Sequence, residues 1–404
     1  SVTCIKKLMK KYFVVILMFF AIMNTGCHKI IENLPGNGGG TLENKTHPLK
    51  DSLQLIINRY IAEGIPGIQV AVKNNDGWYF TGGGVSGIEN KIPIKAETAT
   101  WLFSITKPYT ASLVMMQKEK GLLNLDLPIA RYLPDSIARE IRGSDKIAVR
   151  NLLNHSSGLP DFIELPAYLS LQFTNPLNQP KLHEIVQMVY GLDPEFEPGT
   201  DFNYSNTNYL LLQVMLENVT GKSYAQLLRT MILEPLKLQH TYYQLNDSQI
   251  RALGFPDYYV DLKGNGMLTN ATAWNNALGN GSRGWGGIAG TPADAILFFE
   301  ALMNGKVVSR ASLTEMKTWV QGKSSTIPDY GLGVEHFQYA SGSTPQVGHE
   351  GDGIGCSTMI MYVPDNNTYL FINATVGRKL GGPFLLKVID LKNELSAYVA
   401  KWRK

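Results

Sequence analysis

Ser104 and Lys107 stand three residues apart in Ser104-Ile105-Thr106-Lys107, at the head of the run PYTASLVMMQKEKG. Residues at that spacing share one face of a helix, so the amine reaches the hydroxyl. Pro108 suits a first helical turn, and Gly121 is a natural stop. A serine at a helix start also meets backbone N–H groups and the positive end of the dipole. A hydroxyl is a poor nucleophile until a neighbour takes its proton, so this pair suits acyl transfer. The competing reading is a serine that caps the helix and a lysine in water. Two further clusters have the residue types for such a cleft. Tyr204-Ser205-Asn206 lies in a polar loop ahead of an apolar run, where a phenol and an amide can project together. Its plain alternative is a loop tyrosine with its ring packed and its hydroxyl in water. His349-Glu350-Gly351 lies in a strand-like stretch whose glycine permits close backbone approach. No second His follows at helical spacing, so this is not a zinc motif; a lone His is more often structural than catalytic.

These clusters need elements to hold them. His47 to Glu63 carries apolar residues at helical spacing. Gly67–Val72 and Trp78–Thr81 read as strands joined by the turn Asn74-Asn75-Asp76-Gly77. From about Ser104 to Thr318 the pattern is mainly helical. Strand signals return at Gly331–Gln338, Pro345–Gly348, Cys356–Tyr362 and Thr368–Ala374, and Leu385–Trp402 reads as an amphipathic helix. Strands cluster instead of alternating with helices, which predicts an α+β fold. Its antiparallel sheet is built from both chain ends and flanked by helices, with a mainly helical insertion between.

In their order and context, S-x-x-K, Y-x-N and H-x-G resemble the serine β-lactamase and penicillin-binding protein family, in the branch of class C β-lactamases, DD-peptidases and related esterases. Asn154-His155-Ser156-Ser157-Gly158-Leu159-Pro160-Asp161 is similar to that family's HTSGLPD loop, Gly286 to Asp294 to its GGL.STA.D segment, and Tyr330-Gly331-Leu332-Gly333 to its YGLG strand. The resemblance runs from about Gly67 to Val399 and implies a β-lactamase/transpeptidase-like fold. It implies Ser104 as nucleophile, Lys107 or Tyr204 as general base with the other assisting, and Asn206 holding Lys107 and the substrate carbonyl. It places the oxyanion hole at the N–H groups of Ser104 and Asp352, beside Gly351, and His349 on the opposite wall near the leaving group. No metal or organic cofactor is implied. A G-x-S-x-G elbow is absent, which argues against an α/β-hydrolase.

One position departs from the family pattern. Relatives that take carboxylated substrates carry Thr or Ser where this chain has Glu350, and Asp352 follows the glycine. Two carboxylates near a substrate carboxylate disfavour β-lactam or muropeptide binding unless Arg283 or Lys323 compensates. This favours an esterase or amidase over a D-alanyl-D-alanine carboxypeptidase, a class C-like β-lactamase, or a penicillin-binding sensor that does not turn over.

The chain has 404 residues and a formal charge of +3. Lys6, Lys7, Lys10 and Lys11 precede position 27 with no acid among them, so the remainder carries −1. That balance gives no electrostatic case for nucleic acid. The expected partner is a small-molecule or peptide substrate. Lys10 and Lys11 lead into an apolar run, Phe13 to Met23, followed by Asn24-Thr25-Gly26-Cys27. A basic start, a short apolar core and a small residue before a cleavage point describe a secretory signal. Gly26-Cys27 resembles the lipobox of bacterial lipoproteins, which predicts a signal peptide over 1–26 and a lipid on Cys27. That lipid would anchor an exported protein to a bacterial membrane. A Gly-rich tether over 27–46 and a hydrolase domain over 47–404 complete the expected organisation. Cys356, in an apolar β-branched stretch, is expected to be a buried, inert thiol.

Overall fold

A computed structural model describes residues 43–403 except 321–328, 340–343, 379 and 381. The expected signal peptide, Cys27 and all but the last residues of the tether lie outside the described residues.

Helix α1 (Lys50–Ala62) buries Leu53, Ile56, Ile57 and Tyr60, its i, i+3, i+4, i+7 face. It leads into strands β1 (Gly67–Asn74) and β2 (Gly77–Gly87), which pair antiparallel from Gly67↔Gly84 to Asn74↔Gly77. After the short β3 (Ile92–Pro93) and β4 (Thr100–Trp101), the chain leaves the sheet for a long, mainly helical insertion. The insertion contains helices α2 (Thr106–Glu119), α3 (Asn206–Thr220), α4 (Arg283–Gly286) and α5 (Pro292–Met303). It also contains strands β5 (Thr241–Tyr243), β6 (Tyr259–Val260), β7 (Thr269–Asn270) and β8 (Ile288–Gly290). The chain then returns through β9 (Glu335–Phe337), β10 (Gln346–Asp352), β11 (Ser357–Val363) and β12 (Thr368–Ala374), and closes with α6 (Phe384–Lys401).

The main sheet has the order β3-β2-β1-β12-β11-β10-β9, so the last long strand lies against the first. Ile68 faces Ala374 and Lys73 faces Tyr369 in that central pair. Both faces of the sheet are covered, and strand alternation sorts the side chains between two cores. Ile68, Val70, Val72, Met359, Met361, Leu370 and Ile372 pack with α1 and α6. Ala71, Ile360, Tyr369 and Phe371 pack toward the insertion, with Tyr109, Leu113 and Phe298. Each fully buried aliphatic side chain contributes about 1.5–3 kcal/mol relative to exposure. This is the α+β, β-lactamase/transpeptidase-like architecture expected from the clustering of strand signals.

Two of the differences from the strands read in the sequence matter to the site. The stretch from Gly331 is a turn before it is a strand: Gly331 N–H bonds Val334 O at 2.8 Å, and only Glu335–Phe337 pairs. Gly333 has φ +81°, and a Cβ there would lie 2.3 Å from Ala111 Cβ, so neither the turn nor the packing admits a side chain. Strand β10 does not stop at Gly348 but runs on to Asp352, paired with β11 throughout. His349, Glu350, Gly351 and Asp352 therefore alternate across a sheet.

Candidate active site

Ser104 is set by the turn before it. Thr100 and Trp101 pair with β8, and Leu102 N–H bonds Ile288 O at 2.9 Å. Phe103 then takes φ +45°, a left-handed conformation costly for a bulky residue. Its buried ring packs beside Trp101. The chain enters a short 3₁₀ turn, Phe103–Ile105, which runs directly into α2. Thr106 Oγ1 accepts from Ile288 N–H at 3.0 Å and locks the start of the helix to β8.

Lys107 is fully buried on the first turn of α2. Its Nζ lies 2.9 Å from Ser104 Oγ, 2.8 Å from Asn206 Oδ1 and 2.9 Å from the Trp285 carbonyl on α4. The carbonyl and the amide oxygen only accept, so each takes an N–H from the amine. The remaining tetrahedral position faces Ser104. In the ammonium it holds a third N–H; in the free amine it holds the lone pair, aimed at the serine hydroxyl. Tyr204 covers the amine, with Nζ 4.8 Å from its ring centroid, and its hydroxyl is hydrogen-bonded to Ser104. Burial, and then the nearby Glu335 carboxylate, push the Tyr204 phenol well above its usual range. At rest Tyr204 is a neutral phenol, able to donate a proton.

Asn206 is oriented from behind. Asp161 Oδ2 accepts from Asn206 Nδ2 at 2.9 Å, and Asp161 Oδ1 accepts from the Asn206 backbone N–H at 3.1 Å. A second layer of rings backs Tyr204. His155 Nδ1 accepts from Ser205 N–H at 3.2 Å, and its ring lies 4.2 Å from that of Tyr204. Burial, and then the charge on Lys107, depress His155 well below the usual imidazole range, so it is neutral.

His349 lies on the same face of β10 as Gly351, packed against Tyr330. It is fully buried, its Nε2 accepts from the Tyr330 hydroxyl at 2.7 Å, and its Nδ1–H donates to Glu350 O at 2.5 Å. Burial, with Lys107 adding to it, lowers its pKa to about 3, so the ring is uncharged. It supports Tyr330, whose ring meets those of Tyr204 and His155.

Gly351 is where β10 meets Ser104. A Cβ there would lie 2.1 Å from Leu102 O and 3.1 Å from Ser104 N, so only glycine permits this approach. Glu350 N–H leaves the strand on the β9 side, bonding Glu335 Oε2 at 2.8 Å, while Gly353 N–H closes the hairpin to Cys356 O at 2.9 Å. By alternation Asp352 N–H points the same way as that of Glu350, at the edge that β9 leaves open beyond Gly348. Ser104 and Asp352 thus adjoin through Gly351.

The side chains of Glu350 and Asp352 face away from His349, toward α6, which corrects the charge argument drawn from the sequence. Lys392 Nζ lies 2.7 Å from Glu350 Oε1. Arg378 Nη1 lies 3.1 Å from Glu350 Oε2, and Arg378 Nη2 2.5 Å from Asp352 Oδ2. Two cations balance two carboxylates, and neither is Arg283; Lys323 lies outside the described residues. Buried Glu335, beside this cluster, has its pKa pushed up to about 8, by burial first and by Glu350 second.

Among the site residues expected from sequence, the structure brings together Ser104, Lys107, Tyr204, Asn206 and Gly351, sets the Asp352 backbone beside them, and packs His349 against Tyr330. Asp161, His155, Tyr330 and the Trp285 carbonyl were quoted as parts of family-like segments, or not at all, with no role given. Among the described residues no group of three or more His, Cys, Asp or Glu could hold a metal ion. Cys356 is buried, and its thiol is pushed far up by burial, as expected for an inert cysteine.

A Ser–Lys–Tyr cluster around a buried lysine, between a sheet and a helical insertion, defines a serine hydrolase of the β-lactamase/transpeptidase fold. The chain belongs to the Beta-lactamase family, whose model matches residues 53–381. It is 29% identical to penicillin-binding protein 4* of Bacillus subtilis over 76% of this chain and 67% of that protein. A D-stereospecific amidohydrolase from Streptomyces superposes with TM-score 0.71 at 26% identity, covering 84% of this chain and 97% of that one. The D-amino acid amidase of Ochrobactrum anthropi superposes with TM-score 0.73 at 24% identity, covering 86% and 98%, and shares the fold.

The Gly351 contact predicts a specific sensitivity. Gly351→Ala should push β10 from Ser104 and lower kcat/KM by about 10²-fold or more, the scale of one oxyanion donor. Steady-state kinetics on any turned-over substrate, with a melting curve to confirm folding, checks this.

Proposed function

We propose that this protein hydrolyses an amide or peptide bond in a small substrate through an acyl-enzyme on Ser104. The observation that carries this reading is the Lys107 contact set. Two obligate acceptors hold the amine so that its third position meets Ser104 Oγ. In the proposed cycle, free Lys107 takes the Ser104 proton as Oγ attacks the carbonyl carbon. The N–H groups of Ser104 and Asp352 receive the oxyanion, and the Tyr204 phenol protonates the departing amine. Water then attacks the acyl-enzyme with the same groups reversed, releasing the acid.

The outward turn of Glu350 and Asp352 removes the charge objection to carboxylated substrates. Similarity to a D-stereospecific amidohydrolase and to a penicillin-binding protein supports amides or peptides of D-amino acids as the substrate class. Intact-mass spectrometry after exposure to a fluorophosphonate should show one adduct, absent in Ser104→Ala. D-amino-acid amides should be turned over faster than their L enantiomers. An unlabelled wild type would overturn the serine mechanism, and equal or reversed turnover of the enantiomers the substrate class. A penicillin adduct in the same assay would favour the D-alanyl-D-alanine carboxypeptidase or β-lactamase reading.

We also propose that the protein is exported and lipid-anchored through Cys27, a reading supported by the basic start, the apolar run and Gly26-Cys27. Expressed in a bacterium, it should fractionate with membranes, and Cys27→Ser should abolish both lipid attachment and that partition. Unchanged partition in the variant would count against the anchor.

A further inference from the structure

We infer that Asp161 is a positioning residue that fixes which way the Asn206 amide faces, and through it the direction of the Lys107 lone pair. This rests on the proposed serine mechanism and names a group that the mechanism had not used.

The argument is one of donors and acceptors. An amide can present either its oxygen or its NH₂ group to a neighbour, at little cost in shape. If Asn206 turned its Nδ2 toward Lys107, the free amine would accept from Asn206, and its lone pair would leave Ser104. The ammonium would instead face a donor with a donor. Asp161 forbids that orientation. Its carboxylate is buried and, when ionised, only accepts. Its Oδ2 is 2.9 Å from Asn206 Nδ2, and its Oδ1 takes the Asn206 backbone N–H at 3.1 Å. Flipping the amide would set oxygen against oxygen. Asp161 is itself held at the start of a 3₁₀ turn, Phe162–Glu164, where Oδ1 also accepts from Ile163 N–H at 3.3 Å. The adjacent Pro160 carbonyl accepts from Thr207 Oγ1 at 2.6 Å, tying that loop to the first turn of α3. Other titratable groups around the amine include Tyr204 and Tyr209, whose rings it approaches, and His155 and His349, both neutral. Asp161 therefore reaches Lys107 through Asn206, as a chain of oriented dipoles.

The test is a double-mutant cycle on the full chain, read as the second-order rate constant for fluorophosphonate labelling of Ser104 against pH. Asp161→Asn keeps the shape but offers an NH₂ group toward Asn206. Labelling should fall by about 10²-fold, within the range a positioned general base supplies. Asn206→Asp alone sets two carboxylates face to face and should also slow labelling. The double variant pairs an amide at 161 with a carboxylate at 206 and restores an acceptor toward Lys107. It should label faster than either single variant. Its acid limb should move to higher pH, because a carboxylate on Lys107 favours the ammonium, which must lose its proton before it can act.

A merely structural Asp161 would lower the melting temperature and leave the labelling rate of folded protein and its pH profile unchanged. Labelling of folded Asp161→Asn within threefold of wild type, or a double variant no faster than the slower single, overturns the inference while leaving the serine mechanism standing. An unlabelled wild type overturns both.

Discussion

A buried amine has few ways to be satisfied, and the site is organised around that constraint. Lys107 is fully buried among aromatic faces, and its amine bonds Ser104 Oγ, Asn206 Oδ1 and the Trp285 carbonyl. Two of those oxygens come from α3 and α4, elements far apart in sequence, and another is Ser104 Oγ. An unsatisfied polar group in such surroundings costs about 1–3 kcal/mol, and a charged one more. The helices of the insertion are therefore tied to one another through the Lys107 amine, the group proposed as the base. Thr110, one turn further along α2, repeats the arrangement: its hydroxyl bonds Gly284 O at 2.6 Å. The face of α2 that holds the amine is the face that docks α4.

The sheet contributes a division of charge. On β10, His349 and Gly351 face the insertion, while Glu350 and Asp352 face α6. Acids on the far side of β10 meet Lys392 and Arg378, and the near side presents neutral His349 and Gly351. Glu335, its carboxyl pushed up by burial, accepts from Glu350 N–H at the boundary between the two sides. A strand one residue out of register would exchange the faces and put both carboxylates into the cleft.

That register is also where the sequence was least legible. Ser104 and Lys107 could be placed together because a helical i, i+3 spacing has one geometry, and Asn206 because it opens a long apolar helix. The α+β organisation followed from the clustering of strand signals at both ends. By contrast, ending the strand at Gly348 left the direction of Glu350 open, and a charge argument was built on the wrong face. Pairing with β11 through Asp352 is a long-range fact that no local pattern around QVGHEGD encodes. The surroundings of His349 were hidden for a related reason: its partner, Tyr330, bridges Val320 and Glu335 just ahead of the turn at Gly331, contacts that no local pattern encodes. Asp161 was visible only as the last residue of a loop, because what it does depends on a contact 45 residues away.

The central claim is that Lys107 acts on Ser104 as a free amine and not as a fixed positive charge. Lys107→Arg tests it most directly, since arginine keeps the charge and comparable reach but does not deprotonate in proteins. The measurement is the fluorophosphonate labelling rate of folded variant and wild type across pH. The account predicts a loss of about 10² to 10⁴-fold, the scale of a general base, persisting at every pH at which the protein is folded. A variant that labels within tenfold of wild type would contradict it, and would assign Lys107 the role of an electrostatic anchor.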